Sequence, residues 1–211
     1  MKSPALRFAV AALLFSGLPS TVAADTYWYA GLGMGLGYAQ LYTADFNPSP
    51  CTTCTETKEE FDAGFKGFIG YQINRNWAFE VGWTSLGKFH YKVNNGFVTQ
   101  DATYQVKGAE YSFVPTIPFT RNFSLFGRLG GFASQTRLTV YNDGVAATGG
   151  LQSNRFSPLT GFGAQYFFDE ESGIRLEFEN FGKVGTACAA SGTCTGRANA
   201  KMISASLVFP F

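Results

Sequence analysis

The chain has 211 residues, 16 of them basic and 15 acidic, with a single His and a formal charge of +1. Charged residues make up 15% of it, against roughly 25% in an ordinary soluble domain, and aromatics reach 17% with 22 Phe. This balance excludes a disordered chain, a disulfide-stapled miniprotein and an electrostatic nucleic-acid binder, and no window holds the ~18 continuous apolar residues of a membrane-spanning helix.

Residues 1–24 read as an export signal. Lys2 and Arg7 give a positive start, and residues 8–15 (FAVAALLF) form an apolar core too short to span a bilayer. Gly17 and Pro19 break that core, and small residues at Val22, Ala23 and Ala24 place cleavage after Ala24. Losing Lys2 and Arg7 leaves 14 basic and 15 acidic residues in a mature domain of residues 25–211, a formal charge of −1. An exported chain meets an oxidising compartment, where disulfides persist.

From there the chain alternates with period two, and helical stripes are absent. Residues 27–38 set Trp28, Leu32, Met34, Leu36 and Tyr38 against Gly31, Gly33, Gly35 and Gly37. Residues 61–73 set Phe61, Phe65, Ile69, Tyr71 and Ile73 against Asp62, Gly64, Lys66, Gly70 and Gln72, with Phe68 on the wrong face. Trp77, Phe79, Val81 and Trp83 oppose Ala78, Glu80 and Gly82. Residues 104–117 alternate less regularly, with Pro115 and Pro118 late in the run. Phe123, Leu125 and Leu129 then oppose Ser124, Arg128 and Gly130. After a less regular run over 155–168, Ile174, Leu176 and Phe178 oppose Arg175, Glu177 and Glu179. Finally Ile203, Leu207, Phe209 and Phe211 oppose Ser204 and Ser206, with Pro210 near the end.

Eight runs of this kind predict an all-β, eight-stranded antiparallel up-and-down barrel. Tight polar turns (74–76, 120–122 and 169–172) alternate with long polar connectors at about 40–60, 92–103, 137–154 and 183–199, the layout of an outer-membrane barrel with short periplasmic turns. A soluble barrel would turn a polar face rich in Lys, Glu, Thr and Asn to water. Here that face is rich in Gly with a few charges of both signs, which suits the inside of a narrow tube. Trp28, Tyr71, Trp77, Phe123 and Phe168, with Phe209 and Phe211, recur beside the short turns as an aromatic girdle. Closure follows from backbone polarity, since an open sheet edge in lipid leaves N–H and C=O groups unpaired.

The ordered series WYAGLGMG (28–35), GYQINRNWAFEVGW (70–83), SLGKFHYK (85–92), PFTRNFSLFGRLGG (118–131) and GIRLEFENFG (173–182) resembles the membrane domain of the OmpA-type outer-membrane proteins. The resemblance covers nearly all of the mature chain and implies charged residues paired across the lumen. By its motifs these fall on Glu80, Arg128, Arg175 and Glu177, with Lys66 and Glu179 beside them. Where it implies a lumen lysine on the fourth strand this chain has Val114, and where it implies an acid on the sixth it has Gln165. The ending Leu207, Phe209, Phe211 resembles the terminal strand read by the barrel-assembly machinery. The chain's stop at Phe211 reads as that of the standalone small barrels.

Four Cys fall in two connectors, Cys51 with Cys54 and Cys188 with Cys194. The second spacing is not that of a zinc pair, so disulfides are expected, either local or between the two connectors. His90 is the single His and has no evident Ser partner, so no catalytic residue, cofactor or metal is assigned. The expectation is a non-enzymatic surface and structural protein of the outer membrane, in contact with lipid and lipopolysaccharide. Its lumen would be filled by charge, and its connectors would bind an extracellular ligand. The alternatives are a narrow porin-like pore and, less favoured, a lipid-modifying enzyme.

Overall fold

The computed structural model describes residues 26–42, 55–94, 99–142, 145–187 and 195–211. The export signal and all four Cys lie outside the described residues. The strands are β1 (Tyr27–Leu41), β2 (Thr55–Glu59), β3 (Phe61–Asn74), β4 (Trp77–Asn94), β5 (Thr99–Pro118), β6 (Phe123–Asn142), β7 (Val145–Phe167), β8 (Gly173–Thr186) and β9 (Gly196–Pro210). Every pairing is antiparallel, in the order β3-β1-β9-β8-β7-β6-β5-β4, and β4 pairs with β3 to close the ring. β2 and β3 flank Glu60 and both lie along β4, so together they form one stave of a closed eight-stranded barrel.

Facing follows the period. Leu176 is 57% exposed on the outside while Arg175 and Glu177, on either side of it, are buried within. The outer belt includes Leu32, Phe65, Trp83, Phe113, Leu129, Phe162 and Leu207. On β6 it runs from Phe123 to Ala133, ten steps that rise about 25 Å at the tilt of a small barrel, the height of an outer-membrane apolar band. Near the turns, Trp28 packs on Tyr71 and Trp77 stacks on Phe113, with ring centroids 4.9 and 4.8 Å apart. Phe123 packs on Phe119 and Phe168 on Tyr166. The turns are held locally. Asp169 Oδ1 accepts the Ser172 hydroxyl and the backbone N–H groups of Glu171 and Ser172, and these donors hold its carboxyl below the usual range.

The strands are longer than the alternation predicts. Much of the stretches expected as connectors at 40–60, 92–103, 137–154 and 183–199 is ladder, and β6 and β7 end only at Asn142 and Val145. The reason is an inversion of pattern. Above Ala109 and Ala133 the outward positions become polar (Lys107, Gln105, Gln135, Arg137), while Tyr104, Val106, Phe132 and Leu138 point into the tube. Polar-out, apolar-in strands read as loops if hydrocarbon is assumed outside. A bulge at Gly87, with φ 98°, also reverses the phase of β4, turning Phe89 and Tyr91 inward.

Ring closure thins between β7 and β8. β7 pairs with β8 only between Thr160↔Asn180 and Phe167↔Gly173. Pro158 brings no N–H to the ladder, and β8 carries a bulge between Asn180 and Gly182. Side chains bridge the seam above. The Ser157 hydroxyl donates to Phe181 O at 2.6 Å, Arg155 Nη1 donates to Gly185 O at 3.3 Å, and the Ser153 and Thr186 hydroxyls bond each other. Amides over 181–186 that face β7 should exchange with solvent deuterium roughly tenfold faster than those over 175–179, and Ser157→Ala should widen the gap. Uniform protection along β8 contradicts the seam.

Candidate functional site in the barrel interior

Three layers fill the tube. At the turn end lie Tyr29, Phe68, Ala78, Val114, Phe126 and Val208. At the other end is a larger apolar cluster that includes Leu86, Phe89, Tyr104, Phe132, Leu159, Phe181 and Met202. Between them sits a layer of seven buried ionisable side chains: Lys66, Glu80, Glu110, Arg128, Arg175, Glu177 and Glu179.

Arg128 is the hub of that layer. Its Nε donates to Ser112 Oγ at 3.0 Å and its Nη1 to Glu110 Oε1 at 3.2 Å. The same guanidinium donates to Glu179 through Nη1 and to Glu80 through Nη2. Lys66 Nζ donates to Glu177 at 2.8 Å and Glu179 at 2.7 Å. Arg175 Nη1 donates to Glu80 Oε1 at 2.6 Å, and its Nε and Nη2 reach Gln165 Oε1 at 2.9 and 2.7 Å. Tyr29 donates to Glu80 at 2.6 Å, and Thr84 donates to Glu110 at 3.0 Å. Seven strands (β1, β3, β4, β5, β6, β7 and β8) thus meet through one network, and the seven charges come from five of them (β3, β4, β5, β6 and β8). Unpaired, each such charge would carry a desolvation penalty of several kcal/mol.

The six lumen residues named from the sequence come together, and reasoning from the sequence missed Glu110, Tyr29 and Phe68. Glu110 lies two residues from Ser112 and four from Val114, all facing inward, so the phase of β5 was its signal. Phe68 is the exception in its run because its ring is the floor of the charged layer, 4.8 Å from the Arg175 guanidinium carbon and 5.5 Å from Lys66 Nζ. The lumen glycines make room for these rings. A Cβ on Gly31 would lie 2.2 Å from Phe68 Cζ, and one on Gly70 would lie 2.2 Å from Tyr29 Cζ. Val114 belongs to the lower apolar layer, and Gln165 serves Arg175 as a neutral acceptor.

The formal charge of the layer is three cations against four carboxylates, or −1, which makes the two signs unequal in their tolerance of change. Arg128→Met strands three hydrogen-bonded carboxylates and should cost about 3–5 kcal/mol. Glu110→Gln brings the count to zero, keeps an acceptor for Thr84 and should cost within about 1 kcal/mol. Urea unfolding in detergent micelles checks both, and the opposite ranking contradicts the network as drawn.

Comparison with known proteins locates the chain among its relatives. The model of the OmpA-like transmembrane domain matches residues 23–211. Outer membrane protein A of Escherichia coli O157:H7 is 29% identical over 191 residues, covering 89% of this chain and 49% of that protein. The protein of that name from Salmonella typhi is 28% identical over 187 residues, covering 89% of this chain and 50% of its own length. The chain thus spans about half the length of the curated relatives it matches. The solid-state NMR structure of outer membrane protein AlkL in DMPC bilayers superposes with a TM-score of 0.50 at 13% identity, over 93% of this chain and 96% of that one, which is a likeness of fold. A closed barrel with an apolar belt and relatives of this kind belongs in the outer membrane. The chain is a member of the family of OmpA-like transmembrane domains.

Proposed function

We propose that this chain is a non-enzymatic structural barrel of the outer membrane, closed to ions, whose elongated outer rim presents a surface for extracellular ligands. The observation that carries the reading is the stacking of the interior. An ion crossing the tube would have to part the Leu86–Phe89–Phe132 cluster, displace the Arg128 network and then pass Phe68 and Phe126. Eight strands leave room for side-chain filling and little else.

The reading of the outer rim rests on reach. Strands that continue well past the apolar belt raise a rigid wall beyond it, a scaffold of the kind on which binding residues are commonly placed. The non-enzymatic reading rests on the surroundings of His90. It lies on β4 with Nδ1 3.4 Å from Thr103 Oγ1 and 3.8 Å from Asp101 Oδ1, while Ser85 is paired with Lys107 further down the strand. For assembly, Leu207, Phe209 and Phe211 form an outward apolar edge on β9 and just past it, suited to recognition by the barrel-assembly machinery.

Planar-bilayer recording tests closure: the protein should give no sustained conductance, whereas stable, ample conductance would turn the reading to a pore for small solutes. A panel lacking residues 43–54, 95–98 or 188–194, scored for binding of cells or matrix, tests the rim. At least one deletion should abolish binding with the barrel still folded, and full retention across the panel removes the binding role.

A further inference from the structure

The outer wall changes character abruptly across β4–β7. One cross-strand row reads Trp83, Ala109, Ala133, Phe156. Trp83 and Phe156 are exposed, and the two alanines between them leave a low saddle in the belt. The Phe156 ring stacks on Tyr111, 5.9 Å away, and shields Gly131, forming one flank of the saddle.

Directly above the saddle lie Lys107 and Gln135, and the next paired row is Lys88, Gln105, Arg137, Gln152. Gln105, Lys107, Gln135, Arg137 and Gln152 line a shallow recess. Lys107 and Arg137 are diagonal neighbours on adjacent strands, a spacing of about 7–8 Å between backbones that long side chains span readily. The Arg137 side chain extends over Gly150, where an added Cβ would lie 2.9 Å from its Nε. Among the described residues no carboxylate forms an ion pair with the Lys107 or Arg137 side chain; Lys88 has Asp62 close by, whose Oδ2 accepts its backbone N–H at 2.6 Å, and Lys92, higher on β4, has Asp101 at 3.6 Å.

Two cations without a carboxylate partner, a third beside them, amide donors between them and a bare apolar seat just below form a two-part site. We propose that this face binds a lipid of the outer leaflet that carries a phosphate on its headgroup. The phosphate sits between Lys107 and Arg137 with Lys88 at the side, the glutamine amides donate to its oxygens, and the first acyl chain lies over Ala109 and Ala133. A planar guanidinium beside an ammonium suits a tetrahedral phosphate. The site draws on the outer-membrane location alone and is independent of whether the lumen conducts.

The test is lipid retention by the full chain in phosphatidylcholine nanodiscs doped with lipid A or with its dephosphorylated form, read by native mass spectrometry after extraction. The wild type should enrich lipid A and leave the dephosphorylated form at its bulk fraction. Lys107→Ala/Arg137→Ala should lower the enrichment about thirtyfold, the loss expected for two cations near an anionic headgroup. Lys183→Ala/Lys201→Ala removes the same charge from the opposite wall and should leave it unchanged. Ala133→Phe, which fills the saddle with charge intact, should also lower it. All four positions altered in the two double variants face outward, and heat-modifiable gel mobility verifies folding. Equal enrichment by the Lys107/Arg137 variant, enrichment of the dephosphorylated lipid, or complete displacement of lipid A by inorganic phosphate would overturn the proposal.

Discussion

One wall has to satisfy two solvents. Each stave of this barrel starts in hydrocarbon and ends in water, so no single rule of apolar-out or polar-out can hold along its length. In the lower part the outside is Leu, Phe and Trp, and the inside carries glycine, serine and the ion cluster. In the upper part Lys107, Gln135 and Arg137 face out, and Tyr104, Phe132 and Leu138 face in. The border runs through Trp83, Ala109, Ala133 and Phe156, and residues on both sides of it act according to the medium they meet.

This constraint explains the arrangement inside. In a tube wrapped in lipid the outer face is already apolar, so the hydrophobic effect alone does not decide which side chains turn inward. Hydrogen-bonded ions do there what close packing does in a soluble core: they tie distant strands together with directional contacts. Arg128 bonds to residues of β4, β5 and β8 at once. Where the wall rises into water, burial of apolar surface again has a driving force, and the interior changes to Leu86, Phe89, Phe132 and Phe181. Apolar layers cap the ion layer at both ends, and the low dielectric they impose raises the cost of losing any one of its bonds.

Most of the lower barrel was legible in the sequence because most residues there have one job. Leu176 between Arg175 and Glu177 needs no context to be assigned a face. Four features were not legible. Phe68 looks misplaced until the cations above it are known, since an aromatic ring serves as both filler and acceptor of positive charge. Glu110 sits in a run whose regularity is broken by Pro115 and Pro118, and without a secure phase an acid cannot be assigned to the lumen. The upper walls were read as connectors because they obey the soluble rule, and the bulge at Gly87 reverses the phase of β4 as it enters that zone. Pairing of β7 with β8 stops near the same level, at Pro158 and Gly182, a consequence of backbone chemistry that alternation does not report.

The most direct test of this account is a nitroxide accessibility scan along β6, comparing collision with oxygen, which partitions into hydrocarbon, against collision with a water-soluble nickel chelate. Labels at positions 125 and 129 should meet oxygen, those at 135 and 139 should meet the chelate, and those at 132 and 138 should meet neither. Strong chelate contact at 132 and 138 would mean a water-filled upper lumen and would contradict the inversion on which the account rests.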